Sequence, residues 1–458
     1  MSAIGRILGW HEDPAVIGWW RKRLGWMLRS LTPARRRLML ATASIVIGAR
    51  HFSRLIAYPE GLPVPTSALG SCIAIVAVFG LLGLLYAGAA RFQFLPAFVR
   101  RHPQVALHLT FWGLLFLLWN TGSDAGDWRR VAIGFTLIVS TLLWRIGYLL
   151  LSAQRGRAAG TRFSDHLIYL LPRYPGYIAQ GKGLDYLARH EAQDEDALAR
   201  SQLAGIKLLL LAALWKTVRS ALNGLVYGDP GGVWHAFGGV SGATLPRFAQ
   251  LLAQGEGALL WQSWASIYFE LVREVLETAA YGHTIIGVLR LFGFNVFRST
   301  YKPLLAETIV AFWGRFDYYF KEVLVDFFFL PVFASCFRKH PGLRMFAAVF
   351  AAAFIGNMYV HLLAVEPRAI LFLGDFEALW AALHSRVFYS LLLTIGIFVS
   401  MRREQRSGGR RPIPGMVRRI ARLAGVWTFF AVIRIWDHHP EVPFLTRTQF
   451  FLSLFGIA

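Results

Sequence analysis

One stretch organises this chain, residues 307–322, which read ETIVAFWGRFDYYFKE. On a helix, Trp313, Asp317 and Lys321 would follow one another at four-residue spacing and share a face. An interfacial helix with its aromatic residues at headgroup level would have this composition. The alternative is that Trp313 and Asp317 line a site. A lone histidine, His361, follows Asp317 by 44 residues inside a long apolar run.

The composition indicates a membrane protein. The 458 residues are 55% hydrophobic and 16% charged, and the mean hydropathy is +0.46. Soluble domains have roughly a quarter charged residues. Apolar runs of about 18 to 25 residues recur along the chain, which is the length of a transmembrane helix. Alternating strand patterns are absent, which argues against a β-barrel. We therefore predict an all-α, polytopic protein of about ten helices.

The net charge of +22 first suggests nucleic acid as a partner, but its distribution indicates lipid. The basic residues cluster in short loops beside apolar runs, as on a cytoplasmic membrane face. Residues 1–37 mix tryptophan with arginine and predict a cytoplasmic, interfacial amphipathic segment. Residues 38–458 are predicted to form a single membrane-embedded domain. Cys72 and Cys336 provide neither a disulfide framework nor the spacing of a metal site.

One predicted helix carries a polar face. Glu270, Arg273, Glu274 and Glu277 recur at helical spacing within residues 256–297, so this helix must face protein or a cavity. The spans are predicted at about 38–57, 66–90, 104–121, 130–153, 204–227, 343–365, 386–401, 419–436 and 443–457.

His361 has two interpretations. It could bond a neighbouring carbonyl as a structural residue. Because ionisable groups inside membranes are costly, a functional role is favoured, and an imidazole can act as a general base on a hydroxyl. His438 and His439 lack further ligands at suitable spacing, so no metal site is predicted.

The order of motifs from Tyr281 to Pro331 resembles the membrane-bound O-acyltransferase (MBOAT) family. It is most similar to the bacterial branch that transfers D-alanyl groups or acetylates alginate. Residues 281–294 (YGHTIIGVLRLFGF) are similar to the segment before that branch's aromatic signature. The signature itself resembles FWGRF at 312–316, and its continuation resembles DFFFLP at 326–331.

The resemblance implies a ring of tilted helices around a transmembrane tunnel. A thioester donor, acyl-CoA or an acyl carrier protein, would enter from the cytoplasm, and no cofactor would stay bound. The acceptor would be a hydroxyl of an exported glycan or envelope polymer. His361 and Asp317 would be the catalytic residues, with His361 as the general base. Asp317 would position or polarise a substrate or orient the imidazole. Trp313, Arg315 and Asn357 would bind substrate. The location would be a bacterial cytoplasmic membrane, with membrane lipids and an extracytoplasmic protein as partners.

Two positions depart from the pattern of that branch. MYVHL stands at 358–362 where the branch has GLWHG, and Phe316 replaces the second tryptophan of the signature. Two other functions are compatible with the sequence. One is a transporter in which Asp317 and His361 relay protons or ions. The other is a non-catalytic scaffold of a polysaccharide export complex.

Overall fold

The structure is a computed structural model, and it describes residues 9–43, 80, 83–84, 86–88, 90–120, 144–156, 165, 182–228, 245–255, 259–360, 375–406, 415–437 and 442–457. Throughout these residues the regular secondary structure is helical, and no β-strand is present. The prediction of an all-α chain is therefore confirmed for the described part.

The helices differ widely in length, and two π-helical segments interrupt them. In chain order they are α1 (Pro14–Ser30), α2 (33–43), α3 (Ala97–Arg101), α4 (Pro103–Asn120), α5 (144–154), α6 (Leu184–Arg189), α7 (Glu195–Tyr227), α8 (Phe248–Gln254), α9 (Leu260–Leu291), α10 (Ile309–Phe316), α11 (Tyr318–Leu324), π1 (Val325–Phe329), α12 (Leu330–Ser335), α13 (Pro341–Phe350), π2 (Ala351–Gly356), α14 (Asn357–Val360), α15 (Phe376–Arg406), α16 (Met416–Ile433) and α17 (Phe444–Ser453).

Three helical stretches among the described residues are long and apolar enough to cross a membrane. They are α7, the run Pro341–Tyr359 through π2, and α15. The spans predicted at 204–227, 343–365 and 386–401 overlap these three stretches. The predicted spans 38–57, 66–90 and 130–153 lie mostly outside the described residues, and Cys72, His438 and His439 lie outside them.

The chain divides into two compact units. The first contains residues up to Leu209 and Thr284–Phe297, together with residues 370–374. Two of its helices, α7 and α9, approach each other closely. A Cβ on Gly205 of α7 would lie only 2.7 Å from the carbonyl oxygen of Gly287 in α9. Only residues without side chains permit two helices to approach so closely.

A buried arginine organises the polar part of the first unit. Arg36 is 1% exposed, and its Nη2 donates a 2.5 Å hydrogen bond to the carbonyl of Ala192. The N–H of Ala192 in turn donates to the carbonyl of Gly293 at 2.8 Å. Gly293 has φ +87°, and a Cβ there would meet the Arg36 guanidinium at 2.8 Å. Glycine is therefore required where the chain leaves α9.

The second unit contains Leu210–His283, Arg298–Ala369 and Asp375–Ala458. Its apolar core joins α8, α9, α10, α15, α16 and α17. Phe312 of α10 stacks on Phe430 of α16 with ring centroids 3.9 Å apart, and both side chains are buried. This contact fixes α10, which carries the residues of the 307–322 stretch, against the core.

The polar face predicted on α9 is buried only in part, because Glu270 is 8% exposed whereas the side chain of Glu277 is 56% exposed. Other polar side chains of the helix are buried. Ser263, Ser266, Glu270, Thr278 and His283 all have less than a tenth of their surface exposed. The helix runs over Leu260–Leu291, within the predicted 256–297. A polar helix face inside an apolar protein requires partners on neighbouring elements, and some of these partners are ion pairs described below.

Candidate functional site

The helix predicted through Trp313, Asp317 and Lys321 breaks at Asp317, so the prediction of one shared helical face is wrong. Asp317 has φ −141° and ψ 90°, which ends α10 and begins α11. Its Oδ1 accepts a hydrogen bond from the N–H of Phe320 at 3.2 Å. The preference of a short acidic side chain for the N-cap position explains the break.

Asp317 is almost completely buried. It is 7% exposed, and its Oδ1 also accepts a hydrogen bond from the Ser299 hydroxyl at 3.1 Å. Burial raises the pKa of the Asp317 carboxyl to about 7, although the hydrogen bonds from Phe320 and Ser299 act in the opposite direction. The carboxyl lies outside the three candidate spans. Its described contacts, with Ser299 and Phe320, are those of a residue that caps a helix. Its carboxyl can also bind a proton near neutral pH.

An apolar cavity of about 200 Å³ lies within the second unit. Trp313 and Lys321 contribute to its wall, and Lys321 is its one charged lining residue in the described part of the chain. The remaining lining residues are Val310, Leu324, Val325, Phe329, Leu330, Val349, Ala352, Ala353, Ile397 and Met401. Such a space suits an apolar ligand group that is anchored at one polar end.

Both π-helical segments line this cavity. Val325 and Phe329 belong to π1, while Ala352 and Ala353 belong to π2. The two segments pack against each other, and a Cβ on Gly356 would lie 2.5 Å from Cδ2 of Leu324. Single-turn π segments are frequent at functional sites.

Lys321 does not pair with Asp317, although four-residue spacing on one helix would favour such an ion pair. It forms an ion pair with the adjacent Glu322, and its Nζ lies 4.9 Å from the centroid of the Tyr318 ring. The break at Asp317 removes the helical turn that would have aligned the two side chains. Lys321 therefore supplies an ammonium group at the cavity that a neighbouring carboxylate partly neutralises.

The other predicted site residues are Arg315, Asn357 and His361. Arg315 does not line it, and its Nη1 donates to the carbonyl of Leu305 at 3.2 Å. Asn357 is 3% exposed, and its Nδ2 donates to the carbonyl of Ala353, a lining residue, at 3.2 Å. His361 follows α14 directly in the chain but lies outside the described residues.

A second polar feature of this unit is a set of buried ion pairs. Arg386 of α15 pairs with Asp437, and Arg434 pairs with Glu274 of α9. Arg386, Arg434 and Asp437 are each less than a tenth exposed. Removing one member of such a pair leaves an uncompensated buried charge, so the loss of a single partner is strongly destabilising.

Two features of the site were not predicted. No pattern in the sequence singled out Ser299, because a serine 18 positions from its partner has no local signal. The π segments were also missed, since apolar periodicity does not distinguish a π turn from an α turn. Across the described residues, no three His, Cys, Asp or Glu side chains come together as metal ligands.

No protein-family model matches the chain, and no curated protein sequence matches it significantly.

Proposed function

We propose that this chain is a membrane O-acyltransferase. It would move an acetyl or similarly short acyl group from a cytoplasmic thioester to a hydroxyl of an exported glycan or envelope polymer. The observation that carries the proposal is the apolar cavity beside Trp313, with Lys321 as its charged lining residue. An acyl group needs a dry, apolar space, and the rest of its carrier needs a polar end.

The position of the cavity along the chain supports the same reaction. Ala352 and Ala353 leave space in the wall because they are small, and the run through π2 continues to Val360. His361 is the next residue. We therefore assign the acyl group to this cavity. Ala353 in its wall precedes His361, the proposed base, by eight residues in the sequence.

The proposed chemistry is general-base acyl transfer. The imidazole of His361 removes the proton of the acceptor hydroxyl as its oxygen attacks the thioester carbonyl carbon. The tetrahedral intermediate then collapses, the carbon–sulfur bond breaks, and the imidazolium returns the proton to the departing thiolate. Holding both reactants in one dry site could lower the barrier by several kcal/mol, on the order of 7 or more for well-aligned groups.

Asp317 is proposed to be a positioning residue. Its carboxylate caps α11, which carries Lys321, and its described contacts are with Ser299 and Phe320 rather than with the cavity. In this proposal Trp313 forms part of the wall around the acyl group, while Arg315 and Asn357 act on substrate from the edge of the site.

The test is substitution of His361, with a second histidine of the chain substituted as the control. His361→Ala and His361→Gln should abolish acyl groups on the envelope polymer while the protein still accumulates in the membrane. His384→Ala is the matched control, because His384 lies on α15 and bonds carbonyls of its own helix. Acylation retained by both His361 variants would show that the base is assigned wrongly.

The buried ion pairs favour one second candidate, a proton- or ion-coupled transporter. Charged groups such as Arg386 and Asp437 can mark ion pathways when they lie within membrane helices. Flux measured in proteoliposomes separates the two functions. A transporter would show flux that follows the membrane potential or the proton gradient, whereas the acyltransferase would release free thiol from a thioester donor.

A further inference from the structure

Two of the three candidate spans run antiparallel to each other in the second unit. The ring centroids of Phe346 on α13 and Phe398 on α15 are 5.3 Å apart. Further along, the hydroxyl of Ser390 on α15 lies 3.8 Å from the sulfur of Met358 on α14. Residue numbers therefore rise along one span as they fall along the other. The start of α13 and the end of α15 consequently lie at the same end of the pair.

The start of α16 lies at this end as well. A Cβ on Gly396 of α15 would clash with the ring of Phe429 on α16. Nearer the other end, Phe388 of α15 lies against Trp436, which directly follows α16, with ring centroids 4.9 Å apart. These two contacts show that α16 is antiparallel to α15. Three helix ends therefore meet at one end of the second unit.

Each of these three helix ends carries basic side chains. We call this set the basic collar, which consists of Arg338, Lys339, Arg402, Arg403, Arg406 and Arg418. All of them are exposed except Arg402, which is half-buried. Within the described part of the chain, none of the six forms an ion pair. Like charges gathered at one end of a protein attract anions.

Few carboxylates accompany the basic collar. Glu307 forms ion pairs with Arg419 and Arg422 of α16 at 3.3 Å each, so its charge is already shared between two further cations. Glu404 lies on α15 between Arg403 and Arg406. The cations therefore outnumber the carboxylates among the described residues at this end, and the surface is strongly positive.

Exposed apolar side chains alternate with the cations of the basic collar. Phe337 and Leu343 flank Arg338 and Lys339 in the sequence, and each exposes almost half of its surface. On α16, Val417 is 81% exposed and directly precedes Arg418. Cations mixed with exposed apolar residues are typical of a surface at the boundary between lipid headgroups and acyl chains.

The turn between α12 and α13 holds an aromatic ring outside the protein. Phe337 has a φ of 47°, in the left-handed region that bulky residues rarely adopt. Its carbonyl accepts a hydrogen bond from the N–H of His340 at 2.9 Å, which closes the turn. Costly backbone conformations concentrate at binding sites. Here the conformation accompanies an exposed ring next to Arg338.

We propose that the basic collar binds the headgroups of anionic phospholipids, with Phe337, Leu343 and Val417 in contact with their acyl chains. Clustered Lys and Arg at the ends of membrane helices attract anionic lipids, and guanidinium groups bind phosphate in two-pronged geometry. The exposed apolar residues favour a lipid over a soluble anion, which would offer them no acyl chain. This lipid site does not depend on which reaction the protein catalyses.

The basic collar begins where the cavity wall ends on α15. Met401 lines the cavity, and Arg402 is the next residue. Lipid headgroups bound to Arg402 and Arg403 would hold this end of α15 in place. Anionic lipid should therefore raise the thermal stability of the protein, because a ligand that binds only the folded state stabilises it.

The test measures lipid binding to the purified full-length protein in a neutral detergent. Native mass spectrometry counts the molecules of phosphatidylglycerol and of phosphatidylcholine that are bound at equal lipid concentrations. The wild type should prefer phosphatidylglycerol. Lys339→Gln combined with Arg403→Gln should weaken phosphatidylglycerol binding at least about fivefold, since each basic residue near an anionic headgroup adds to the attraction. Binding of phosphatidylcholine should not change.

Two further variants control for charge and for folding. Arg189→Gln combined with Arg200→Gln removes the same charge from two exposed arginines that have carboxylate partners, and should change phosphatidylglycerol binding less than about twofold. Lys339→Arg combined with Arg403→Lys conserves the charge and should bind phosphatidylglycerol as the wild type does. Equal melting temperatures in lipid-free detergent show that the variants are folded.

Four outcomes would overturn the proposal. The wild type could bind both lipids equally, or the Lys339→Gln, Arg403→Gln variant could keep its preference for phosphatidylglycerol. The Arg189→Gln, Arg200→Gln control could lose as much binding as that variant, which would indicate net charge rather than a site. Complete displacement of phosphatidylglycerol by soluble glycerol phosphate would assign the basic collar to a soluble anion.

Discussion

The hydroxyl of Ser299 donates a 3.1 Å hydrogen bond to Oδ1 of Asp317, and both residues are buried. The same carboxylate oxygen caps α11 at Phe320. One side chain therefore fixes the end of α10, the start of α11 and the segment that follows α9. The orientation of Trp313 and Lys321 at the cavity depends on this junction.

Asp317→Asn should remove a pH dependence of stability. Burial raises the pKa of this carboxyl from its usual 3.8 to about 7 in the folded protein. Between these pH values the folded state binds more protons than the unfolded state, so the free energy of unfolding falls as the pH rises. At pH 8 the Asp317→Asn variant should be more stable by up to about 4 kcal/mol. Thermal unfolding in detergent at pH 5 and pH 8 measures this.

An exposed cap provides the control for that experiment. Asp375 caps α15 by accepting a hydrogen bond from the N–H of Ala378 at 3.0 Å, but it is exposed. Asp375→Asn should leave the pH profile parallel to that of the wild type. An Asp317→Asn variant with an unchanged profile would refute the argument from burial.

Breaking the Arg386–Asp437 pair should be costly. Both residues are less than a tenth exposed, so Arg386→Met alone leaves a buried carboxylate and should cost about 3 to 5 kcal/mol. Adding Asp437→Asn should recover part of that loss, because the remaining charge is removed. Chemical unfolding of the single and double variants in detergent gives the coupling energy.

A surface pair shows what an exposed contact contributes. Arg200 and Asp196 of α7 pair at 2.8 Å, and their side chains are 62% and 38% exposed. Arg200→Met should cost no more than about 0.5 kcal/mol. Equal losses of unfolding free energy for Arg200→Met and Arg386→Met would contradict the argument that burial makes the loss of one ion-pair partner costly.

Gly396→Ala should weaken the contact between α15 and α16. A Cβ at Gly396 would lie 2.2 Å from Cζ of Phe429, so the ring must move. Overpacking of this kind costs about 1 to 3 kcal/mol. Gly425→Ala on α16 meets nothing within 4 Å and should be neutral or stabilising by up to about 1 kcal/mol. Comparison of the two melting temperatures is the measurement.

Ala353→Leu should shorten the acyl groups that the protein accepts. Ala353 is 3% exposed and lines the cavity, so a larger side chain occupies part of its space. Activity with an acetyl donor should persist, while activity with longer acyl donors should fall about tenfold or more, as one or two methylenes cost about 1 to 3 kcal/mol. Ala347→Leu on α13 is the control, because Ala347 is not among the residues that line the cavity. Equal losses with short and long donors would argue against the cavity as the acyl site.

The sequence by itself determined the class of the chain and most of its described long helices. Apolar runs and the three- to four-residue recurrence on α9 depend on residues close in sequence, so periodicity predicts them. It predicted that the charged face of α9 turns away from lipid because charge in an apolar setting must find partners, and Glu270 is buried while Glu277 on the same face is exposed. The ring of about ten spans remains a prediction.

Only the tertiary structure decided where the 307–322 stretch bends and what its side chains meet. The helical spacing of Trp313, Asp317 and Lys321 predicted a single helix, but Ser299 and the N-cap geometry end it at Asp317. The cavity and the packing of the two π segments also depend on contacts between residues far apart in the chain. Such contacts leave no local pattern, because they arise from packing after the helices have formed.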